Sequence, residues 1–187
     1  MRKYLCLQKN EFQFKSYKLV PIRDEDKYVI MQWRNEQIDI LRQKQLLTKE
    51  HQENYFSTVV TNLFKQEKPQ QILFSFLEND TLIAYGGLVH IDWESKNAEI
   101  SFLLSTELNN QINIFKHKWD IYLKMLTGIA FNELEFHKIY TYAYDIRDYY
   151  FEVMYKQNFF KEAHLKEHIL INNRLVDILI LSKMNNG

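Results

Sequence analysis

A lone cysteine, Cys6, leaves no partner for an internal disulfide and no second thiolate for a zinc site. Charge of neither sign dominates, because 24 Lys and Arg face 24 Asp and Glu. A nucleic-acid partner calls for a basic excess or a basic stripe, and the sequence has neither. No apolar run approaches the roughly 20 residues of a membrane span. The apolar part of Met1–Phe12 is too short for a signal peptide. Internal repeats, linkers and low-complexity segments are missing as well. What is there points to one soluble, cytoplasmic domain over residues 1–187. Hydrophobic residues make up 46% of it, enough for a real core, and 13 Phe with 12 Tyr make that core aromatic-rich.

The stretch Asn97–His137 organises the rest. Glu99–Leu104 is a strand-like run, and the polar connection Ser105–Asn113 carries no Gly or Pro punctuation. Trp119, Tyr122, Leu123, Leu126, Ile129, Ala130 and Leu134 then recur at three- and four-residue steps, which puts them on one face of a helix. A strand leading into a helix start suits phosphate, because the first turn offers unpaired N–H groups and the positive dipole end. Lys138–Tyr144 reads as a second strand, so the unit is β-α-β.

Around it, residues 1–16 alternate weakly and read as a hairpin or an arm, and Tyr17–Ile22 as a strand. Asp24 resembles an N-cap for a helix over Glu25–Glu36. Gln37–Leu47 reads as a surface loop. Thr48 starts a second helix to about Lys65, with Tyr55, Phe56, Val59, Val60, Leu63 and Phe64 inward. Ile72–Leu77 and Thr81–Ile91 form a hairpin about Glu78–Asp80. A helix over Arg147–Gln157 precedes two last strands, Phe160–Ile171 and Arg174–Lys183, joined at Asn172-Asn173. The order β-α-α-β-β-β-α-β-α-β-β predicts a mixed, mostly antiparallel sheet with flanking helices.

That order, with Trp33-Arg34-Asn35, Ile83–Leu88, Ala98–Phe102, Ala130–Leu134, His137–Tyr140, Phe159–Glu162 and Leu165–His168 at these places, resembles the GNAT family of acyl-CoA-dependent N-acyltransferases. Within it, the likeness is to the branch holding RimJ/RimL-like enzymes and amino-sugar N-acetyltransferases. It covers about Tyr17–Met184 and implies a single-domain GNAT-like α/β fold. It also implies acetyl-CoA or another acyl-CoA as co-substrate, with Ser101, Phe102 and Leu103 offering backbone groups to the pantetheine arm. The acceptor is then a small-molecule amine, best read as a nucleotide-linked amino sugar, with a peptide N-terminus as the enzymatic rival. Family members are often homodimers.

The sequence also departs from the family. Counting back from Ala130-Phe131, the glycine positions of the family's pyrophosphate loop hold Phe115, His117 and Trp119. Lys116, His117 and Lys118 then become candidates to bind phosphate through side chains. The family's Asn is replaced by residues near Arg147, and its thiolate-protonating Tyr aligns with Met154, leaving Tyr150 or Tyr155 as acid. Glu99 is the candidate general base, or else a strand-end charge facing solvent. An imidazole can take up a proton under ordinary conditions, which makes His90 the second candidate for that role. Arg34 suits an acceptor phosphate, with Trp33 and Asn35 beside it. His164 and His168 show no third ligand in the sequence, so no metal site is expected. If Phe115 and Trp119 fill the cleft beside Ser101, the chain is a non-catalytic GNAT-fold binding or regulatory module; if the cleft stays open, it is an enzyme.

Overall fold

The structure, a computed structural model, describes residues 2–185. Eight strands form one sheet: β1 (Phe12–Phe14), β2 (Tyr17–Pro21), β3 (Ile72–Glu78), β4 (Thr81–Asp92), β5 (Asn97–Leu104), β6 (Lys138–Tyr144), β7 (Phe160–Ile171) and β8 (Arg174–Met184). Their order is β1-β2-β3-β4-β5-β6-β8-β7. Six of the pairings are antiparallel; β5 and β6, joined by a helical crossover, run parallel. The β3–β4 and β7–β8 turns carry left-handed residues in pairs, Asn79-Asp80 and Asn172-Asn173, the backbone that two-residue hairpins require.

Two helical layers cover the sheet. On one side lie α1 (Lys27–Glu36) and α2 (Lys49–Asn54), which runs on through a π-helical segment (Tyr55–Val60) into α3 (Thr61–Leu63). Thr48 caps α2 and shares a capping box with His51. On the other side are α5 (Ile112–Gly128), which passes into a π-helical Ile129–Glu133, and α6 (Asp148–Lys156). A short α4 (Thr106–Asn109) leads into α5. The strands between the layers are buried on both faces, as the continuous run Ile72–Leu77 shows. No helix among the described residues is long and apolar enough to cross a membrane.

Three local expectations are corrected. Asp24 does not cap α1; it opens a 3-10 turn, Asp24–Asp26. Asp26 is the buried acid there, held by Arg23 and by the Ser75 hydroxyl at 2.6 Å. Ser105–Asn113 is not a plain connection, since it contains α4 and the start of α5. In the second helix Phe56, Val60 and Leu63 are buried, but Val59 is 39% exposed. The i→i+5 bonding of the π-helical segment turns that position away from the core.

Candidate active site

Side-chain alternation along β5 sends Glu99 and Ser101 toward the α1–α2 layer and Phe102 toward α5. Parallel pairing with β6 covers only Asn97↔Lys138, Ala98↔Ile139 and Glu99↔Tyr140. Beyond Glu99 the two strands separate and leave a slot of about 110 Å³, walled by Glu99–Phe102, Tyr142–Tyr144, Arg147 and Tyr150. Beside it, under α1 and α2, lies a larger cavity of about 520 Å³. Arg34, His51, Tyr55, Gln71, Tyr85 and His90 supply most of its polar wall, and no carboxylate among the described residues lines it. Ser101 borders both spaces.

Glycine makes that junction possible. A Cβ on Gly86 would lie 2.1 Å from the Ser101 carbonyl oxygen and 2.6 Å from the Tyr122 hydroxyl. With no side chain there, the Tyr122 hydroxyl reaches through to donate to that carbonyl at 2.9 Å.

Glu99 is buried at the junction. Arg42 donates to one carboxylate oxygen, and His90 Nε2 stands 3.8 Å from the other. Burial pushes the Glu99 carboxyl above the usual carboxylate range, and Arg42 and then His90 pull it back only in part. His90 sits in a bulge of β4 at φ +49°, which aims its ring into the larger cavity while Glu99 faces the slot. The pair therefore connects the two spaces. The Arg42 guanidinium also lies 5.2 Å from the centre of the Tyr142 ring, so one side chain spans the gap from β5 to β6.

Replacing Arg42 with Gln removes the counter-charge, so the Glu99 carboxyl will titrate at a still higher pH. With Glu99 as the proposed base, which works only when deprotonated, the acid limb of kcat/KM against pH is expected to move to higher pH. An unmoved acid limb would show that another group titrates there.

The remaining predicted residues are distributed as follows. Tyr150 lines the slot, buried, and burial raises its phenol, which keeps it protonated at neutral pH as a proton donor must be. Tyr155 lies on the exposed face of α6, 46% accessible, outside both spaces. Leu103 is packed in the core and does not line the slot. Trp33 is a core residue. Asn35 braces the following loop instead of facing the cavity, since its side chain donates to the Leu47 carbonyl at 2.9 Å and accepts from the Leu47 N–H at 2.8 Å. Arg34 does face the cavity, with Nη1 donating to the Tyr85 hydroxyl at 2.6 Å and Nε to Gln43 at 2.9 Å.

Lys116, His117 and Lys118, near the start of α5, turn away from the slot. Lys118 is buried against β2 and β3, where it bonds both Glu78 oxygens at 2.7 Å and the Tyr17 hydroxyl at 2.8 Å. His117 stands beside Tyr17, and Lys116 pairs with Glu152 of α6. Phe115 and Trp119 do not line the slot either. They stack behind it, Trp119 against Phe102 at 4.7 Å and Tyr150 at 5.0 Å between centroids. Arg42, Tyr85 and His51 also reach the site, though the sequence singles out none of them: Arg42 lies inside the segment read as a surface loop, Tyr85 in the strand Thr81–Ile91 and His51 in the second helix. His164 finds two carboxylates from distant strand ends, Asp145 and Asp177, with ligand atoms within 4.8 Å, while His168 is not among them. Sequence spacing alone could not bring that trio together.

The sequence and the fold together make this an acyl-CoA-dependent N-acyltransferase. The sequence matches the model described as Acetyltransferase (GNAT) domain over residues 19–180, and the chain belongs to that family. None of the curated proteins matches the sequence. Among solved structures, mutant forms of the spermidine/spermine N-acetyltransferase SpeG from Vibrio cholerae superpose with a TM-score of 0.75 at 18% identity, covering 91% of this chain and 95% of that one. SpeG in complex with CoA and spermine gives 0.73 at 16% identity, covering 91% and 96%. The ribosomal-protein-S5-alanine acetyltransferase from Vibrio fischeri gives 0.74 at 17% identity, covering 96% and 98%. At such identities the likeness speaks for the fold.

Proposed function

We propose that the chain moves an acetyl or larger acyl group from acyl-CoA to the primary amine of a small acceptor that carries negative charge, a nucleotide-linked amino sugar fitting best. The cavity's charge carries this reading. Arg34 faces it, and no carboxylate among the described residues lines it. A polyamine brings several positive charges, which the Arg34 guanidinium repels, whereas a diphosphate-linked sugar matches its fork. The amine loses its proton toward His90 and Glu99, attacks the thioester carbonyl in the slot, and the leaving thiolate takes a proton from Tyr150. Holding amine and thioester together across Ser101 supplies much of the rate. Dependence on acyl-CoA is what supports a cytoplasmic setting.

The test is thiol release from acetyl-CoA with three acceptors: a uridine-diphosphate-linked amino sugar, spermidine, and a peptide with a free N-terminal alanine. The sugar nucleotide is expected to lead spermidine in kcat/KM by about tenfold or more, the size of one charge-assisted contact. Spermidine equal or ahead would sink the anionic-acceptor reading. A leading peptide would move the acceptor to protein N-termini.

A further inference from the structure

Acyl-CoA brings a pyrophosphate, and the chain lacks the small residues that would let a backbone loop wrap it. The basic side chains nearest the helix start are already neutralised: Lys116 by Glu152, Lys118 by Glu78, and Arg42 by Glu99. Arg147 is different. It lies between β6 and the start of α6, lines the slot, and has no carboxylate partner among the described residues.

Its surroundings hold the guanidinium in place without neutralising it. The group lies 5.2 Å from the centre of the Phe115 ring and 5.4 Å from that of Tyr150, and Nη1 donates to the Asn109 side-chain oxygen at 3.2 Å. Phe115 stands in the first turn of α5, whose N-cap residue Gln111 offers no side-chain cap, so first-turn N–H groups remain for an incoming anion. Burial lowers the Arg147 pKa, and the Tyr150 and Tyr149 phenols, with no carboxylate beside them, oppose it only in part. A guanidinium stays charged under such pressure, and an anion would relieve its desolvation.

We infer that Arg147 holds the pyrophosphate of acyl-CoA, a side chain from the β6 wall taking over from a glycine loop at the helix start. This rests on the acyl-CoA reading above. Phe115 then has a double part, filling the core and serving as the flat surface that fixes the guanidinium. With the phosphates at Arg147, the pantetheine arm runs down the slot past Phe102 toward Glu99 and Ser101.

The experiment compares wild type, Arg147→Gln and Arg147→Lys in calorimetric titrations with CoA, dephospho-CoA and pantetheine, with thermal melts run alongside. Arg147→Gln should weaken CoA and dephospho-CoA by about 10- to 100-fold and leave pantetheine unchanged. Arg147→Lys should fall between, having charge without the fork. Unchanged CoA affinity in Arg147→Gln overturns the assignment, as does equal loss for pantetheine, which would mean a damaged slot. Loss for CoA alone would place the 3′-phosphate there and also overturn it. Should Arg147→Gln fail to fold, Arg147→Lys decides by the same three ligands. Wild type that binds no CoA at millimolar concentration removes the acyl-CoA reading itself, which is a different failure.

Discussion

Glu99→Gln is expected to lower kcat by about 10²- to 10⁴-fold, the range over which a positioned base contributes. The substitution keeps the shape and removes the charge, so the acceptor cavity is left in place and the loss should fall on kcat, with acceptor KM moving little. Folded wild type should show an acid limb above the ordinary glutamate range, because burial raises the Glu99 carboxyl. In the Gln variant that limb disappears. His90 needs a more careful substitution, because its φ of +49° is one that Asn tolerates and most residues do not. His90→Asn should cost about 10²-fold. If the amine's proton passes from His90 to Glu99 across their 3.8 Å separation, the double variant will be little worse than Glu99→Gln alone. Fully multiplicative losses would separate the two groups. A Glu99→Gln variant with nearly wild-type kcat would leave a water chain as the base.

The sheet is legible in the sequence because strands and hairpins are local signals. Asn79-Asp80 and Asn172-Asn173 announce turns by residue type, and both turns form. The parallel pairing of β5 with β6 follows from a β-α-β unit, which the apolar spacing of Trp119 to Leu134 reveals, whereas the point where the two strands part leaves no such trace. Side-chain direction is less legible. Lys116–Lys118 precede the helix's inward residues in sequence and look like a basic helix start, yet Lys118 reaches back to Glu78, forty positions away along the chain. Such a partner is fixed only when β3 comes to lie beneath α5. The junction of His90, Glu99 and Arg42 has the same origin. A bulge aims His90 and a loop carries Arg42 across, and neither leaves a periodic trace. The glycine positions occupied by Phe115 and Trp119 are visible as a departure, but only packing shows that they stand behind the wall of the slot without closing it.

That wall supports the second large effect. Trp119→Ala should destabilise the protein by about 3–5 kcal/mol, the usual cost of deleting a fully buried large aromatic side chain. Trp119 is completely buried, sandwiched between Phe102 and Tyr150, and its indole N–H donates to the Tyr150 carbonyl at 3.2 Å. Three losses therefore coincide: transfer of the ring from water, two stacking contacts, and the hydrogen bond from the indole N–H to the Tyr150 carbonyl. Moving the sequence toward the family's small residue here would thus work against the fold, because the helix start that wraps phosphate elsewhere has become core. Denaturant unfolding monitored by far-UV circular dichroism measures the effect. Phe102 and Tyr150 both line the slot, so whatever folded fraction remains should also bind CoA more weakly. A loss below about 1 kcal/mol, the size of an ordinary surface substitution or less, would mean that Trp119 merely occupies space, and the argument that it replaces the glycine loop structurally would fall with it.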